Sequence, residues 1–251
     1  MAAGRPICVF GAGTMGRGIV QIALAAGHQV MLVDPDSSQL EAARNDALSR
    51  LAKKDPGLAE HAASRLQVEQ RVSDCARPEG TVVIEAVIER MEVKSEVFRA
   101  ALQHFGETCI LATNTSSLSV TEIAASTDAP DRVVGMHFFN PVPIMKLVEV
   151  VRGLQTDPEV VSVIAELATS WGKDVAFVNS APGFIVNRVA RAYYGEALRL
   201  VEEGATTPEV IDELFRTSAG FRMGPFELMD LIGVEVNNQV TKTVWAAYNY
   251  E

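Results

Sequence analysis

The sequence predicts an α/β fold, in which a doubly wound and mostly parallel sheet is followed by a smaller all-helical domain. Three observations support this prediction. Apolar runs of strand length alternate with helical periodicity up to about residue 178, the first run leads into a glycine-rich turn, and every long stretch after residue 181 is helical in pattern. Strands that alternate with helices are typical of a parallel sheet covered on both faces. We therefore predict two domains, residues 1–181 and residues 182–251.

The N-terminal residues indicate which kind of α/β domain this is. Residues 6–10 form an apolar run that leads into Gly11-Ala12-Gly13-Thr14-Met15-Gly16, then into a helical stretch and a second apolar run that ends on Asp34. In a Rossmann fold the three glycines allow the tight turn, the approach of a pyrophosphate and the packing of the helix on the sheet. A carboxylate 18 residues after the last glycine can bind an adenosine ribose and repels a 2′-phosphate. The pattern predicts a Rossmann-type domain that binds NAD rather than NADP through Gly11, Gly13, Thr14, Met15, Gly16 and Asp34.

Composition and charge restrict the other classes of function. The formal charge of −10 disfavours nucleic acid as a partner, because phosphate contacts need clustered Lys and Arg. No apolar run reaches the roughly 18 to 20 residues that a membrane span needs, and the N-terminus lacks the regions of a signal peptide. Cys8, Cys75 and Cys109 are widely spaced and odd in number, which predicts buried, reduced thiols. We expect a cytoplasmic protein with a small-molecule substrate, no membrane partner and no metal site.

Periodicity and helix-breaking residues predict the remaining elements. Helical spacing from Ser37 to about Lys54 ends at Asp55-Pro56-Gly57, and a second amphipathic segment covers about residues 58–70. The two helices would form a hairpin, about residues 37–72, between the second and third strands. The third strand, 81–88, is apolar apart from Glu85, as expected of a parallel strand buried on both faces. Further strands are predicted at 109–113, 133–138, 146–151 and 174–178, and further helices at 91–105, 120–125 and 158–171.

His137 and Glu149 form the most informative pair of polar residues. Each lies six residues from Pro143, so a hairpin folded about this proline would bring the two positions opposite each other on neighbouring strands. Opposite positions place Cβ atoms about 4.5 to 5.5 Å apart, which lets a carboxylate orient an imidazole as a general base. The alternative is a histidine satisfied by a backbone carbonyl and a glutamate on a solvated strand edge. The spacing, the prolines and the dinucleotide fold favour the catalytic interpretation.

Four motifs then resemble those of the NAD-dependent L-3-hydroxyacyl-CoA dehydrogenases. They lie in the order of that family between residue 6 and about residue 235. The resemblance implies reversible oxidation of an (S)-3-hydroxyacyl-CoA to the 3-oxoacyl-CoA, as in fatty-acid β-oxidation. The motifs are residues 114–118 (NTSSL), residues 135–143 (GMHFFNPVP) followed by 146–150 (KLVEV), residues 182–188 (PGFIVNR) and residues 224–230 (GPFELMD).

The resemblance also assigns roles to single residues. It implies that His137 removes the proton of the 3-hydroxyl group, with Glu149 as its partner, and that Ser116 hydrogen-bonds the reacting substrate oxygen. Asn187 would reach the site from the first helix of the second domain, in a cleft between the two domains. The alternatives are a helix-capping serine, for which Ser117 is the better candidate, and a polar residue at an interdomain seam.

Cofactor and CoA contacts are likewise implied by the resemblance. Glu89, Lys94 and Asn114 match positions that bind NAD, although Glu89 and Lys94 could equally be the solvated start of a helix. For CoA, the helical hairpin is the expected landing place, where Lys54, with Lys53 and Arg50, could meet phosphates. Asn140 is the asparagine of its motif and either contacts substrate or braces the proline-containing linker.

Two features depart from the family pattern. The hairpin segment is shorter than expected, and the sequence ends at Glu251, before the last helices of the family, so we expect a truncated helical domain. Those helices contribute to the family's dimer interface, which implies a homodimer for the complete chain. Two other functions remain open: a related dehydrogenase of a free hydroxy or sugar acid, and a non-catalytic NAD-binding structural protein.

Overall fold

A single eight-stranded sheet organises the N-terminal part of the protein. The computed structural model describes residues 4–248, so the chain end at Glu251 lies outside the described residues. The strand order within these residues is β3-β2-β1-β4-β5-β6-β7-β8. The strands are β1 (Ile7–Phe10), β2 (Val30–Val33), β3 (Leu66–Glu69), β4 (Val82–Glu85), β5 (Ile110–Thr113), β6 (Val133–Phe138), β7 (Leu147–Arg152) and β8 (Asp174–Asn179).

Every neighbouring pair in this sheet is parallel except β6 and β7, which are antiparallel. The four residues of each of β1, β2, β4 and β5 are all buried, because helices cover both faces of the sheet. The predicted doubly wound, mostly parallel Rossmann-type sheet is therefore confirmed. Six helices accompany it in the described part: α1 (Thr14–Ala25), α2 (Ser37–Ala52), α3 (Pro56–Ala63), α4 (Met91–Phe105), α5 (Val120–Ala125) and α6 (Pro158–Ser170).

The predicted second helix of the hairpin is wrong over its C-terminal half. Helix α3 ends at Ala63, and Leu66–Glu69 forms the edge strand β3, which pairs in parallel with β2. The strand alternates, since Leu66 and Val68 pack against the core. Four alternating residues are too few to be distinguished from a helical face by periodicity. The backbone groups on the open edge of β2 need partners, and this tertiary requirement decides the conformation.

The predicted third strand is also shorter than expected, because regular pairing ends at Glu85 and Ile88 is 61% exposed. The other predicted strands and helices of this region are present, with ends shifted by one or two residues. Such shifts are ordinary for element ends.

The chain divides by its internal contacts into two units, residues 1–180 and residues 181–251. The second unit is helical, as predicted, and its described part contains α7 (Val186–Glu202), α8 (Pro208–Thr217), α9 (Pro225–Ile232) and α10 (Val234–Tyr248). The buried Asp212 accepts hydrogen bonds from the N–H groups of Phe226 and Glu227 and so caps α9. Among the described helices, none combines the length and the apolar character needed to cross a bilayer.

Helix α1 packs closely against the connection between β6 and β7. A Cβ atom added at Gly18 would lie 2.7 Å from the Cβ atom of Val142, which is shorter than side chains tolerate. The same connection is held from another side by Lys173, whose ammonium group donates to the carbonyl oxygens of Val142 (2.5 Å) and Met145 (2.8 Å). The connection that follows His137 is therefore fixed by packing and by hydrogen bonds.

We predict that Gly18→Ala destabilises the protein although alanine favours helix. Alanine gains about 1 kcal/mol over glycine in a helix interior, but forcing Val142 away costs typically 1 to 3 kcal/mol, so a net loss of about 1 kcal/mol is expected. Gly195→Ala in α7 is the matched control, because a Cβ atom there meets no described atom within 4 Å. Urea unfolding followed by circular dichroism measures both. Equal stabilities of the two variants would contradict the packing argument.

Candidate active site at the carboxyl edge of the sheet

Most of the predicted site residues follow the carboxyl ends of adjacent parallel strands. Asp34 follows β2, the glycine turn follows β1, Glu89 follows β4 and Ser116 follows β5, while His137 is near the end of β6. Strands β2 and β4 lie on opposite sides of β1, so the strand order reverses there. In open α/β sheets ligands bind at this switch point, outside the carboxyl ends of the strands.

The three glycines of the turn meet different requirements. Gly11 has φ +100°, and a Cβ atom there would lie 2.5 Å from the carbonyl oxygen of Ala86; at Gly16 it would lie 1.8 Å from the carbonyl oxygen of Gly11. These two glycines are required by the fold itself. At Gly13 a Cβ atom would meet no described atom within 4 Å, and no side chain caps the helix that begins at Thr14. The turn thus leaves uncapped helix N–H groups beside open space, which suits a pyrophosphate.

Asp34 is fixed beside this turn. Its carboxylate accepts hydrogen bonds from the N–H groups of Ala12 (2.8 Å) and Asp36 (2.9 Å). A cavity of about 800 Å³ opens next to it, with Pro35, Leu40 and Val68 in its lining. A fixed carboxylate whose chain neighbour, Pro35, lines a partly apolar cavity fits the adenosine half of NAD. Of the other predicted cofactor residues here, Thr14 is exposed and Met15 packs partly buried against the core.

A buried charge network follows β4. Glu85 is fully buried and accepts hydrogen bonds from the Lys94 ammonium group (2.7 Å), the Val87 N–H (2.8 Å) and the Thr113 hydroxyl (2.8 Å). Lys94 is 1% exposed and also lies 3.1 Å from the Glu89 carboxylate. Burial raises the pKa of Glu85, although Lys94 and Thr113 oppose this effect. The network therefore depends on mutual pairing of its charges.

Glu89 connects this network to residues 115–117, which we call the Ser116 segment. One of its carboxylate oxygens accepts hydrogen bonds from the Thr115 hydroxyl (2.6 Å) and from the N–H groups of Ser116 (2.9 Å) and Ser117 (3.0 Å). Burial raises the pKa of Glu89, but Lys94, the Thr115 hydroxyl and the Ser116 N–H outweigh burial and lower the pKa from 4.5 to about 2. The capping alternative for Ser117 is wrong, because Ser119 caps α5 by accepting from the Glu122 N–H.

The predicted pairing of His137 with Glu149 is confirmed. The two residues are register partners on β6 and β7, and the imidazole Nδ1 lies 2.6 Å from the Glu149 Oε2. Glu149 is fully buried and His137 is 5% exposed. Because a carboxylate only accepts, Nδ1 carries the hydrogen of this bond. The geometry fixes the ring orientation and leaves Nε2 as the basic nitrogen of the neutral ring.

Asn114 joins two of these strand ends. Its side-chain oxygen accepts a hydrogen bond from the Phe138 N–H (2.9 Å), and its own N–H donates to the Glu85 carbonyl (2.8 Å). The carboxyl ends of β4, β5 and β6 are therefore linked by consecutive hydrogen bonds. Glu89, Asn114, Ser116 and His137 lie along this edge as a result, with the buried Glu85 beneath it.

The predicted CoA residues lie around two neighbouring cavities. Asn140 and Arg50 line one of about 440 Å³ together with Thr14 and Arg17, between α1, α2 and the connection after β6. Lys54 lines a second one of about 370 Å³ with Lys173. Asn140 is exposed, so its side chain is accessible to a ligand. Two cationic side chains line each cavity, Arg17 and Arg50 in the first, where Asp46 pairs with Arg50, and Lys54 and Lys173 in the second. Such a lining suits a ligand that carries phosphates.

Asn187 is the second residue of α7, the first helix of the second unit, and its carbonyl oxygen accepts a hydrogen bond from Arg191 (2.8 Å). Sequence reasoning assigned no role to Glu85, which the structure places at the centre of the charge network. The available signal was a single acid in a continuously apolar strand, since a buried carboxylate needs partners.

We predict that Glu89 contributes to stability in a pH-dependent way. Its folded-state pKa is lowered, so its contribution is present above the unfolded-state pKa and is lost as the pH falls through about 2. The stability difference between the wild type and Glu89→Gln should be largest above about pH 5 and shrink between about pH 4.5 and pH 2. Urea unfolding across this range measures it, with Glu92→Gln on the exposed surface of α4 as control. A difference that is constant with pH would contradict the assignment.

Comparisons with known proteins cover both units. A family model described as "3-hydroxyacyl-CoA dehydrogenase, NAD binding domain" matches residues 6–181, and one described as the C-terminal domain of the same family matches residues 183–251. The chain is 48% identical over 246 residues to the 3-hydroxyadipyl-CoA dehydrogenase of Escherichia coli, covering 96% of this chain and 52% of that protein. It is 40% identical to the probable 3-hydroxybutyryl-CoA dehydrogenase of Bacillus subtilis, covering 92% of this chain and 82% of that protein.

Solved structures agree with these matches. A 3-hydroxybutyryl-CoA dehydrogenase structure from Escherichia coli superimposes with a TM-score of 0.92 at 46% identity, covering 98% of this chain and 53% of the other. An (S)-3-hydroxybutyryl-CoA dehydrogenase from Ralstonia eutropha gives 0.92 at 35% identity and covers 98% and 88%. The chain thus spans about half the length of both Escherichia coli proteins. The matches cover the glycine turn, the His137–Glu149 hairpin and the helical unit alike, and the chain belongs to the 3-hydroxyacyl-CoA dehydrogenase family, with an NAD-binding domain at its N-terminus.

Proposed function

We propose that this protein catalyses the reversible oxidation of an (S)-3-hydroxyacyl-CoA to the 3-oxoacyl-CoA with NAD. The observation that carries the proposal is the buried His137–Glu149 pair, 2.6 Å apart, at the same sheet edge as the glycine turn. Oxidation of an alcohol needs a base for the hydroxyl proton, and NAD, when bound, supplies the hydride acceptor.

His137 is proposed to take the proton of the 3-hydroxyl group on Nε2. Nδ1 donates to Glu149 at the same time, so the imidazolium that forms is paired with a buried carboxylate rather than with water. Glu149 has no solvent exposure, and the cost of burying its charge is offset when the ring becomes cationic. The pair therefore holds the proton that the substrate loses and returns it in the reverse direction.

Ser116 and Asn187 are proposed to position the substrate. The Ser116 backbone is held by Glu89, which fixes where its hydroxyl can reach. Asn187 is in the first turn of α7, so its amide is carried on a regular helix. We propose that Ser116 bonds the reacting oxygen and that Asn187 orients the acyl thioester.

The cofactor is proposed to bind through the residues that the sequence singled out. Gly11 and Gly16 shape the turn, Gly13 leaves space for the backbone approach to the pyrophosphate, and Asp34 would accept from the adenosine ribose. Glu89, Lys94 and Asn114 are proposed for the nicotinamide half. The CoA moiety is proposed for the two cavities with cationic linings, where Asn140, Arg50 and Lys54 are found.

Assembly and compartment are proposed as well. Large apolar side chains are exposed on the second unit, among them Leu214, Leu231 and Val236, which supports a homodimer through the helical unit. Cys8, Cys75 and Cys109 are free and buried. Free thiols are usual in a reducing compartment, which supports a cytoplasmic location.

NADH formation with 3-hydroxybutyryl-CoA, longer homologues and 3-hydroxyadipyl-CoA tests the reaction and measures the acyl preference. A free 3-hydroxy acid is included, because turnover of the acid without turnover of its CoA thioester would contradict the proposal. NAD binding without turnover of any thioester would also contradict it and favour a structural role.

We predict that His137→Ala lowers kcat by about 10² to 10⁴, the usual contribution of a general base. Glu149→Gln keeps the shape but removes the charge that pairs with the imidazolium, so a smaller loss is expected. The dissociation constant of NADH, measured by fluorescence, should change less than about twofold, because neither residue lies in the glycine turn. His104→Gln is the control, since that buried histidine bonds the Cys75 and Ala76 carbonyls through Nε2 and packs against Phe105, and its replacement should affect stability alone. Unchanged kcat in His137→Ala would refute the assignment.

We predict that Arg50→Ala and Lys54→Ala each raise KM for a CoA thioester by about fivefold, since an exposed charge contact contributes roughly 1 kcal/mol. The KM for the N-acetylcysteamine thioester, which lacks the nucleotide and its phosphates, should not change. Arg77→Ala is the matched control, because Arg77 is exposed and precedes β4, at the amino ends of the parallel strands and not at their carboxyl ends. Equal effects on both thioesters would place these side chains outside CoA recognition.

A further inference from the structure

We propose that Glu85 is a positioning residue that controls the geometry of the Ser116 segment through Lys94, Glu89 and Thr113. This inference rests on the proposed role of Ser116 at the substrate oxygen and adds a residue to it. Glu85 lies beneath the edge, at the last position of β4, and is fully buried. It therefore acts on the site through other residues.

One route runs through charge. The Lys94 ammonium group lies 2.7 Å from Glu85 and 3.1 Å from Glu89, so one cation is shared by two carboxylates. Glu89 in turn accepts from the N–H groups of Ser116 and Ser117. The position of the Glu89 carboxylate is thus set on one side by Lys94 and on the other by the Ser116 backbone.

A second route runs through a hydroxyl group. The other carboxylate oxygen of Glu85 accepts from the Thr113 hydroxyl (2.8 Å), and the same hydroxyl oxygen accepts from the Thr115 N–H (3.2 Å). The Thr115 hydroxyl donates to Glu89 (2.6 Å), where the two routes meet. Both routes from Glu85 therefore reach residues 115–117, one through Lys94 and Glu89 and the other through Thr113 and Thr115.

The charge balance explains why an acid is needed at this position. The two carboxylates and the ammonium group carry a net charge of −1. Without the charge of Glu85, Lys94 keeps Glu89 as its one carboxylate partner in this network. Because the Lys94 side chain is only 1% exposed, its ammonium group then attracts the Glu89 carboxylate toward the interior. Glu89 would then move away from Ser116 and Ser117. A shift of about 1 Å in a positioning group can lower a rate as much as 10²-fold.

A thermodynamic cycle with 3-hydroxybutyryl-CoA tests this route. Glu85→Gln and Thr113→Val should each lower kcat/KM, the former by about 10- to 100-fold. In the Ser116→Ala background the same substitutions should change kcat/KM by less than about twofold, because residues that act as a unit are not additive. Additive effects would overturn the proposal. If Glu85→Gln fails to fold, the cycle with Thr113→Val decides alone.

Hydrogen exchange supplies a readout that does not need turnover. In Glu85→Gln and Thr113→Val, the amides of residues 115–117 should exchange about tenfold faster, since their bonds to Glu89 and Thr113 are weakened. Thr156→Val is the matched control, because the hydroxyl of this buried threonine donates to the Val133 carbonyl and accepts from the Gly153 N–H, away from residues 115–117. It should lower stability and leave both kcat/KM and exchange at residues 115–117 unchanged.

The two readouts separate the two proposals. An inactive wild type with faster exchange in Glu85→Gln would refute the proposed reaction and support the positioning role. An active wild type whose exchange at residues 115–117 does not respond to Glu85→Gln or Thr113→Val would refute the positioning role. A loss of activity in Thr156→Val as large as that in Thr113→Val would also overturn it, since both would then reflect a general loss of packing.

Discussion

Parallel pairing of the strands is the constraint on which the candidate site depends. Because β2, β1, β4, β5 and β6 run in the same direction, their carboxyl ends meet at one edge, and residues that are far apart in sequence become neighbours. The register of each strand pair fixes how far each strand end lies along the strand direction relative to its neighbours. Hydrogen bonds between consecutive strand ends then complete the alignment, as in the bond from the Phe138 N–H to Asn114.

The one antiparallel pair serves a different purpose. Between β6 and β7 the chain reverses, so a residue of the returning strand can face a residue of the outgoing strand within the sheet. This is how a fully buried carboxylate, Glu149, comes to orient His137. The connection between the strands is held by Lys173 and by its close contact with Gly18, so the hairpin geometry does not rest on the two side chains alone.

Sequence reasoning succeeded where a local pattern corresponds to a physical requirement. The glycines at positions 11 and 16 are predictable because any side chain there would collide with the backbone. The His137–Glu149 contact was predictable because equal spacing about a proline-containing turn fixes the register of a hairpin. Sequence reasoning failed at β3, because four residues carry too little periodicity to indicate a strand. It also failed at Glu85, whose burial was visible in the apolar pattern but whose partners were not.

Apart from β3, the sequence alone determined the order of strands and helices, and it also determined the glycine turn, the acid at position 34 and the opposition of His137 and Glu149, since each follows from local spacing and from backbone sterics. Only the tertiary structure decided which polar groups share one carboxylate. Lys94 and Thr113, which share the Glu85 carboxylate, are 9 and 28 positions from it, and Ser116 is 27 positions from the Glu89 carboxylate to which its N–H donates. These contacts arise from the pairing of β4 with β5 and from the packing of α4. Contacts between distant residues depend on the whole fold, because no local preference encodes them.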